Sequence, residues 1–520
     1  MTDLISSDLL VRSARRVPLD GASPDALVDL RISRGVLVEV GAALERHGED
    51  ELDGDGRWAV PGLWDAHVHL QQWSRSLVRL DLAGTAGPPD ATARVAAHLH
   101  ALPADDALIV GYGHRSAGWA RQPTVAELDL VTGRRPVVLI SGDAHHGWLN
   151  TAALALLGVP HQDGPLEEAP WFAVFPRVEA LEQPGEQALR RAVTEAAARG
   201  VVGVVDMEWE DGPHLWPERV AAGIDLLRVR PATYASGLDR VLAEGLRTGG
   251  VLAGGRGLVT MGPFKVIFDG SLNTRTAYCC ASYAGPHGAS WRGVLNLTPP
   301  ELAGVVARAH AGGLESAVHA IGDAAGTAAL DALEAAGARG SVEHVQLLAR
   351  ADLPRFRALG VRASVQPAHL LDDRDVTTSL WPDAADRCFA LRSLLDAGAT
   401  LALGSDAPVA RLDPWLAMAA AVHRSADERD PWTPSEALTP AEALAASTDG
   451  RRLRPGSPGD VVLLDDDPLA VDPHDTDSTA ADPTAAGSAA AARSAAAARR
   501  LRDVRVAATV VAGRLTHSSL

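Results

Sequence analysis

Apolar positions follow two styles along the chain. In residues 1–60 and 452–520 they make short strand-like runs, and from 61 to 451 they make compact apolar runs separated by helical stretches. At the N-terminal end the pattern predicts strands over 9–11, 27–32 and 36–40. The second alternates apolar and polar from Val28 onward, as a half-buried strand does. Runs 460–465 and 504–511, the latter followed by the turn pair Gly513-Arg514, match that style. Two β-rich ends around a long middle predict one small β-sandwich, its halves supplied by 1–60 and 452–520. Between the last two strands, 472–500 is rich in Ala, Asp, Thr, Ser and Pro. It reads as a low-complexity surface insertion, with a short helix over the Ala-rich 485–500.

The middle contains eight apolar runs: 59–69, 201–207, 227–234, 264–269, 315–320, 341–345, 361–366 and 401–405. Strands alternating with helices give an α/β fold, and eight such units predict a (β/α)8 TIM-like barrel over 61–451. The first gap is far too long for one loop. It predicts an inserted lid subdomain, about 72–195, over the top of the barrel.

Composition narrows the class. The chain has 520 residues, 47% of them hydrophobic, enough for a large core with appendages. No apolar run approaches the ~20 residues of a membrane span. Met1-Thr2-Asp3-Leu4 does not lead from a basic segment into an apolar one, so no signal peptide is expected. Three cysteines, Cys279, Cys280 and Cys388, make no disulfide framework, and a reducing cytoplasm is the expected location. A net charge of −18 argues against nucleic acid as a partner. The expected partner is a small-molecule substrate, without membrane association; the assembly is left open between monomer and homodimer.

Among the 48 basic residues of the Lys and Arg type, Lys265 is the single lysine. Codon bias in a GC-rich genome accounts for the arginines. A position that stays lysine under that bias points to amine chemistry that a guanidinium cannot supply.

In this fold class, catalytic groups stand at the C-terminal ends of strands. The first strand ends Asp65-Ala66-His67-Val68-His69, and residues two apart share a strand face, so both imidazoles point into one mouth. Lys265 falls among bulky apolar residues on the fourth strand. Burial lowers a lysine pKa towards the neutral amine, which can add carbon dioxide to give a bridging carbamate. The alternative is a buried lysine paired with a carboxylate such as Asp269. His319 and His344 end the fifth and sixth strands, and imidazole suits zinc and related divalent ions. Asp406 follows the apolar eighth strand, where a carboxylate is costly unless it binds metal or moves protons.

This order of residues on successive strands resembles the amidohydrolase superfamily. The strings Lys265-Val-Ile-Phe-Asp-Gly-Ser271-Leu272, His319-Ala-Ile-Gly-Asp323, Glu343-His344-Val-Gln346, Gln366-Pro367-Ala-His369 and Leu403-Gly-Ser-Asp406-Ala-Pro408 are similar to its family 3. That YtcJ-like group includes N-substituted formamide deformylases. Asp143-Ala-His145-His-Gly-Trp148-Leu-Asn150 is similar to a family signature in the inserted segment. Asn273-Thr274 depart from the usual Gly-Ser after the fourth strand.

The resemblance implies a metal centre. His67, His69 and Asp406 would hold one ion, His319 and His344 a second, and carboxylated Lys265 would bridge them. A centre with one ion is the alternative, and zinc is the expected metal. Asp406, Lys265 and His319 form the implied catalytic set, with Asp406 moving the proton from water to the leaving nitrogen. For the substrate pocket, Trp73, Trp119 and Trp148 are expected to wall an apolar surface and His145 to contact a polar group. Arg275 and His369 are further candidates at the mouth. The implied activity is hydrolysis of a C–N bond in a small non-peptide amide, N-formyl or N-acyl compound. The alternatives are a deaminase or ester/lactone hydrolase on the same site, and a non-catalytic binding or regulatory protein.

Overall fold

The computed structural model describes residues 7–19, 26–102, 107–182, 186–283, 290–425, 429–470 and 483–520. Each of the eight apolar runs of the middle contains a strand: Leu63–Val68, Val201–Asp206, Arg228–Pro231, Phe264–Ile267, Ser316–Ala320, Gly340–His344, Arg362–Val365 and Thr400–Leu403. They pair in parallel in two sheets. The first three form one sheet with Val201–Asp206 in the middle, and the last five form another in chain order. Isolated parallel bridges join the two sheets at both seams, Thr233 to Phe264 and Val68 to Ala407.

Helices follow the strands and bury one face each. Pro299–Ala311 is representative. Thr298 and Glu301 form a capping box at its start, and the buried residues Leu302, Val306 and Ala309 repeat at helical spacing. Loss of such a cap costs about 1 kcal/mol. The helices and strands share one large apolar core, to which Val204, Phe264, Val318 and Leu403 contribute.

The chain ends meet in one eight-stranded mixed sheet. Trp58–Pro61 sits at the junction, parallel to Leu9–Arg16 and antiparallel to Val461–Leu464. The apolar run 59–69 is thus split between two sheets at Gly62. A Cβ there would stand 2.4 Å from Val202, so this close approach requires glycine. The Ala-rich helix is longer than expected, Pro483–Asp503. Its C-terminal part is not surface-bound: Ala498 and Leu501 are buried in the main core, and Ser494 Oγ lies 3.0 Å from His423 Nδ1. Much of the preceding low-complexity stretch, 471–482, lies outside the described residues.

The long first gap contains a five-stranded sheet of its own, built from Leu80–Asp81, Ile109–His114, Val137–Ser141, His146–Leu149 and Leu166–Glu167. Arg115 ties this segment to the rest of the chain. Its Nη2 donates to Asp372 Oδ2 at 2.8 Å and to the Val409 carbonyl at 3.0 Å. Among the described residues, no helix is long and apolar enough to cross a membrane.

Candidate metal centre

The seam between the first and eighth parallel strands builds the centre. Asp65 accepts hydrogen bonds from the backbone N–H of His67 and of Ser405, both at 3.0 Å, and so clamps the two strands. The Asp406 N–H donates to the His67 carbonyl at 2.7 Å, and the His69 N–H to the Ala407 carbonyl at 2.9 Å. Asp406 is thereby held between the two histidines of the HxH motif. A Cβ on Gly404 would stand 2.7 Å from the His67 nitrogen, so only glycine admits this approach. Asp406 has a φ of 56°, and His344 and Val345 have φ values of 71° and 46°. Left-handed backbone at non-glycine residues is strained and concentrates at functional sites.

The Asp406 carboxylate divides its oxygens. Oδ1 lies 3.5 Å from His67 Nε2 and 3.5 Å from His69 Nε2. Oδ2 lies 3.9 Å from His344 Nδ1 and 3.9 Å from His369 Nε2. Two three-residue donor sets result, His67–His69–Asp406 and His344–His369–Asp406, each with its ligand atoms within 4.8 Å of one another. With metal–ligand bonds of ~2.0–2.2 Å, donors around one ion stand some ~3–4 Å apart, so these sets fit a divalent metal. Among the described residues, the buried His369 Nε2 has no hydrogen-bond partner, an orphaned atom that an ion would satisfy.

Burial keeps the imidazoles neutral, the form that ligates. It lowers the pKa of His69, His319 and His369 to about 3, and those of His67 and His344 well below the ordinary value. Burial also raises Asp406 to about 7, opposed by Lys265. Partners orient the rings: His67 Nδ1 donates to Glu343 Oε2 at 2.6 Å, and His344 Nδ1 to Gln366 Oε1 at 2.9 Å. In each ring Nε2 is therefore the nitrogen left to ligate, not the His344 Nδ1 that stands 3.9 Å from Asp406. Such contacts fix which ring nitrogen faces the ion.

Lys265 stands inside the set, its Nζ 3.4 Å from His67 Nε2. Burial lowers its pKa, while Glu343 and Asp406 raise it. It is not paired with Asp269, which instead accepts hydrogen bonds from the backbone N–H groups of Tyr278, Ile321 and Gly322. His319 belongs to neither donor set. Its Nε2 donates to the Gly270 carbonyl at 3.2 Å, and its ring centroid is 4.4 Å from that of His344.

These groups line a cavity of about 540 Å³. His145 lines it as expected, 3.3 Å from Glu168 through Nδ1, and His369 does too. The three expected tryptophans do not. Trp73 packs into the main core, and Trp119 and Trp148 pack into the interior of the inserted segment, where burying their large rings is worth more than exposing them. Arg275 is also absent from the lining. It sits in the turn after the fourth strand with a φ of 58°, and its carbonyl accepts from Trp291 Nε1. The aromatic wall is made instead by Phe172, Phe175 and Trp209. Trp209 meets the two phenylalanines edge-on, with centroids at 5.9 and 6.4 Å.

Sequence reasoning therefore missed Glu343, the aromatic wall, and the pairing of His369 with His344. Glu343 precedes His344, and neighbours on a regular strand point to opposite faces. The left-handed backbone at His344 breaks that alternation and lets both side chains serve the centre. Nothing in the local sequence announces it.

Comparison with known proteins agrees with this geometry. The model of the "Amidohydrolase family", family 3, matches residues 50–517. "Protein LONG AFTER FAR-RED 3" of Arabidopsis thaliana is 30% identical over 85% of this chain and 83% of its own length. An N-substituted formamide deformylase of Arthrobacter pascens is 25% identical over 89% of this chain and 94% of its own. The crystal structure of an uncharacterized metal-dependent hydrolase from Pyrococcus horikoshii superposes with a TM-score of 0.75 at 25% identity, covering 89% of this chain and 99% of the other. The chain belongs to amidohydrolase family 3, a family of metal-dependent hydrolases.

Proposed function

We propose that the protein hydrolyses the C–N bond of a small non-peptide amide, of the N-formyl or N-acyl kind. The single observation that carries this reading is the Asp406 carboxylate shared between two histidine pairs, in a cavity of about 540 Å³. Likeness to a formamide deformylase supports the choice of bond. The two parallel sheets, bridged at both seams, are read as one (β/α)8 barrel, residues 61–451. The inserted segment is its lid, and the terminal segments form the appended β domain. A reducing cytoplasm is proposed from the three free cysteines.

His67, His69 and Asp406 would hold one divalent ion, zinc by donor type. His344, His369 and Asp406 would hold a second, with His319 beside them as a further donor. Lys265 stands among these donors and, if carboxylated, would add an anionic pair of oxygens to them. When bound, such ions supply Lewis-acid polarisation of a carbonyl and acidification of water. The chain's own groups do the rest. Asp406 takes the proton of the attacking water as the new C–O bond forms. It then delivers that proton to the nitrogen as the C–N bond breaks. His145 reaches in from the lid to the substrate's polar end. Phe172, Phe175 and Trp209 exclude water from its apolar end.

The experiment is a screen of formamides, N-acyl amines and cyclic amides with added zinc or manganese, together with metal analysis of the purified protein. Expected are turnover of an acyclic amide and two ions per chain. Turnover of esters or aminated heterocycles alone would overturn the bond assignment. One ion fewer in His369→Ala but not in His319→Ala separates the two candidate second-site ligands. A crystal grown with metal and bicarbonate tests Lys265: a bare amine there rules out the carbamate.

A further inference from the structure

The same parallel strands enclose a second cavity, of about 490 Å³, at their N-terminal ends. Trp64, near the start of the first strand, forms part of its wall, with Arg228 and Arg230 from the third and Arg362 from the seventh. Arg451, from beyond the eighth strand, completes the basic side. Four guanidiniums thus line the hollow, against the carboxylates of Glu315 and Asp449 on the same wall and of Asp460 beside it.

Three of the four are neutralised. Arg228 holds Asp460 at 2.7 and 3.0 Å, Arg230 holds Asp449 at 3.0 and 2.6 Å, and Arg362 holds Glu315 at 2.7 Å. Arg451 is left over. Among the described residues, its ion pair is with the carboxylate already taken by Arg230, at 3.6 Å, and its buried Nε has no hydrogen-bond partner. Both Arg230 and Arg451 lie over the Trp64 ring, at 4.0 and 5.6 Å from its centroid. The two cations share one ring and one carboxylate: Asp449 is held at hydrogen-bond distance by Arg230 and stands only at 3.6 Å from Arg451, so a second anion would add to the neutralisation of Arg451. Burial lowers the Arg451 pKa, against the pull of Asp449 and Asp460 and with a smaller contribution from Arg230 and Arg228.

Two further donors wait at the same wall. Among the described residues, Trp64 Nε1 and Ser364 Oγ are buried without a hydrogen-bond partner, on residues 4% and 2% exposed. Buried donors left unpaired cost about 1–3 kcal/mol each, so a partner is expected. A guanidinium, an indole N–H and a hydroxyl together match the acceptor oxygens of an oxyanion.

We propose that this cavity binds a small oxyanion, a phosphate or carboxylate group, through Arg451, Trp64 and Ser364. The site is separate from the metal centre and takes the opposite charge of ligand.

The test is calorimetric titration of the metal-loaded protein at constant ionic strength, with inorganic phosphate in one arm and acetate in the other. One saturable site per chain is expected in at least one arm, weakened about tenfold or more in Arg451→Gln. Ser364→Ala removes a single hydroxyl and should weaken binding several-fold while the fold stays intact by thermal melting. Binding in His69→Ala should persist, which distinguishes this site from phosphate captured at the metal centre. Absence of saturable binding in both arms overturns the proposal. So does an isotherm unchanged by Arg451→Gln and Ser364→Ala, which would mean the cavity holds water alone.

Discussion

The two ends of the parallel strands carry opposite solutions to burying polar groups. At the C-terminal ends, five histidines and one lysine crowd together, and burial drives the histidines to the neutral form. Lone pairs then face a hollow that suits a cation. At the N-terminal ends the basic groups are arginines, which keep their charge when buried and so need anions. Carboxylates meet that need three times. On this comparison, the choice between imidazole and guanidinium, more than burial itself, sets the charge of ligand each cavity is proposed to take. The two ends are also connected. Ser341, in the lower wall, hydrogen-bonds Glu343, which accepts from His67 Nδ1.

The largest expected effect falls on the upper end. Asp406→Asn removes the residue proposed as both shared ligand and proton carrier, and activity should fall by about 10³-fold or more. Metal content should fall for both ions, because one carboxylate serves both sets. Loss of one ion only would show that Asp406 is not shared. Phosphate binding at the lower end should be untouched, and a change there would break the separation of the two cavities.

Glu343→Gln is next. It keeps the shape but withdraws the charge that orients His67. Metal affinity should fall about 10–100-fold, measured by competition with a chelator. An unchanged affinity would mean that Glu343 is only a filler beneath the ring.

A smaller effect sharpens the account of the pocket. Phe172→Ala should raise KM about tenfold for a substrate with an apolar substituent and leave kcat near its original value, the pattern of lost uniform binding. A loss confined to kcat would place Phe172 against the reacting atoms instead.

The smallest effect serves as a reference remote from both cavities. Arg392 Nη1 donates to Glu442 Oε1 at 2.9 Å, and this pairing, aided by the Thr439 cap, holds the Glu442 pKa down to about 2. A depressed carboxylate pKa stabilises the folded state above the unfolded value of ~4.3 and ceases to do so as pH falls towards the folded one. Glu442→Gln should therefore cost under ~1 kcal/mol at pH 7, since the pair is partly solvated. The gap in melting temperature should close between about pH 5 and pH 2. A gap that widens on acidification would reverse the assigned sign.

The parallel strands and most of the upper site are legible in the sequence for one reason. A strand buried on both faces is an apolar run, and a polar residue at its end is conspicuous. His67, His69, His319, His344 and Asp406 all announce themselves this way, and Lys265 stands out by being the only lysine. Local pattern alone fixes these positions. What it leaves open depends on which segments meet. Trp73, Trp119 and Trp148 look like pocket walls in sequence, yet tertiary packing sends them into cores and brings Phe172, Phe175 and Trp209 to the cavity. The place of His369 in a donor set also arises only because the start of the helix His369–Leu380 packs against Asp406, 3.9 Å away. Glu343 serves His67 only because the backbone turns left-handed one residue later. The lower cavity is still less visible, since Trp64, Ser364 and Arg451 are distant in the chain and are joined only by the curl of the sheets. Residue type and spacing determined the chemistry available to this protein; the approach of remote segments decided which groups share a cavity.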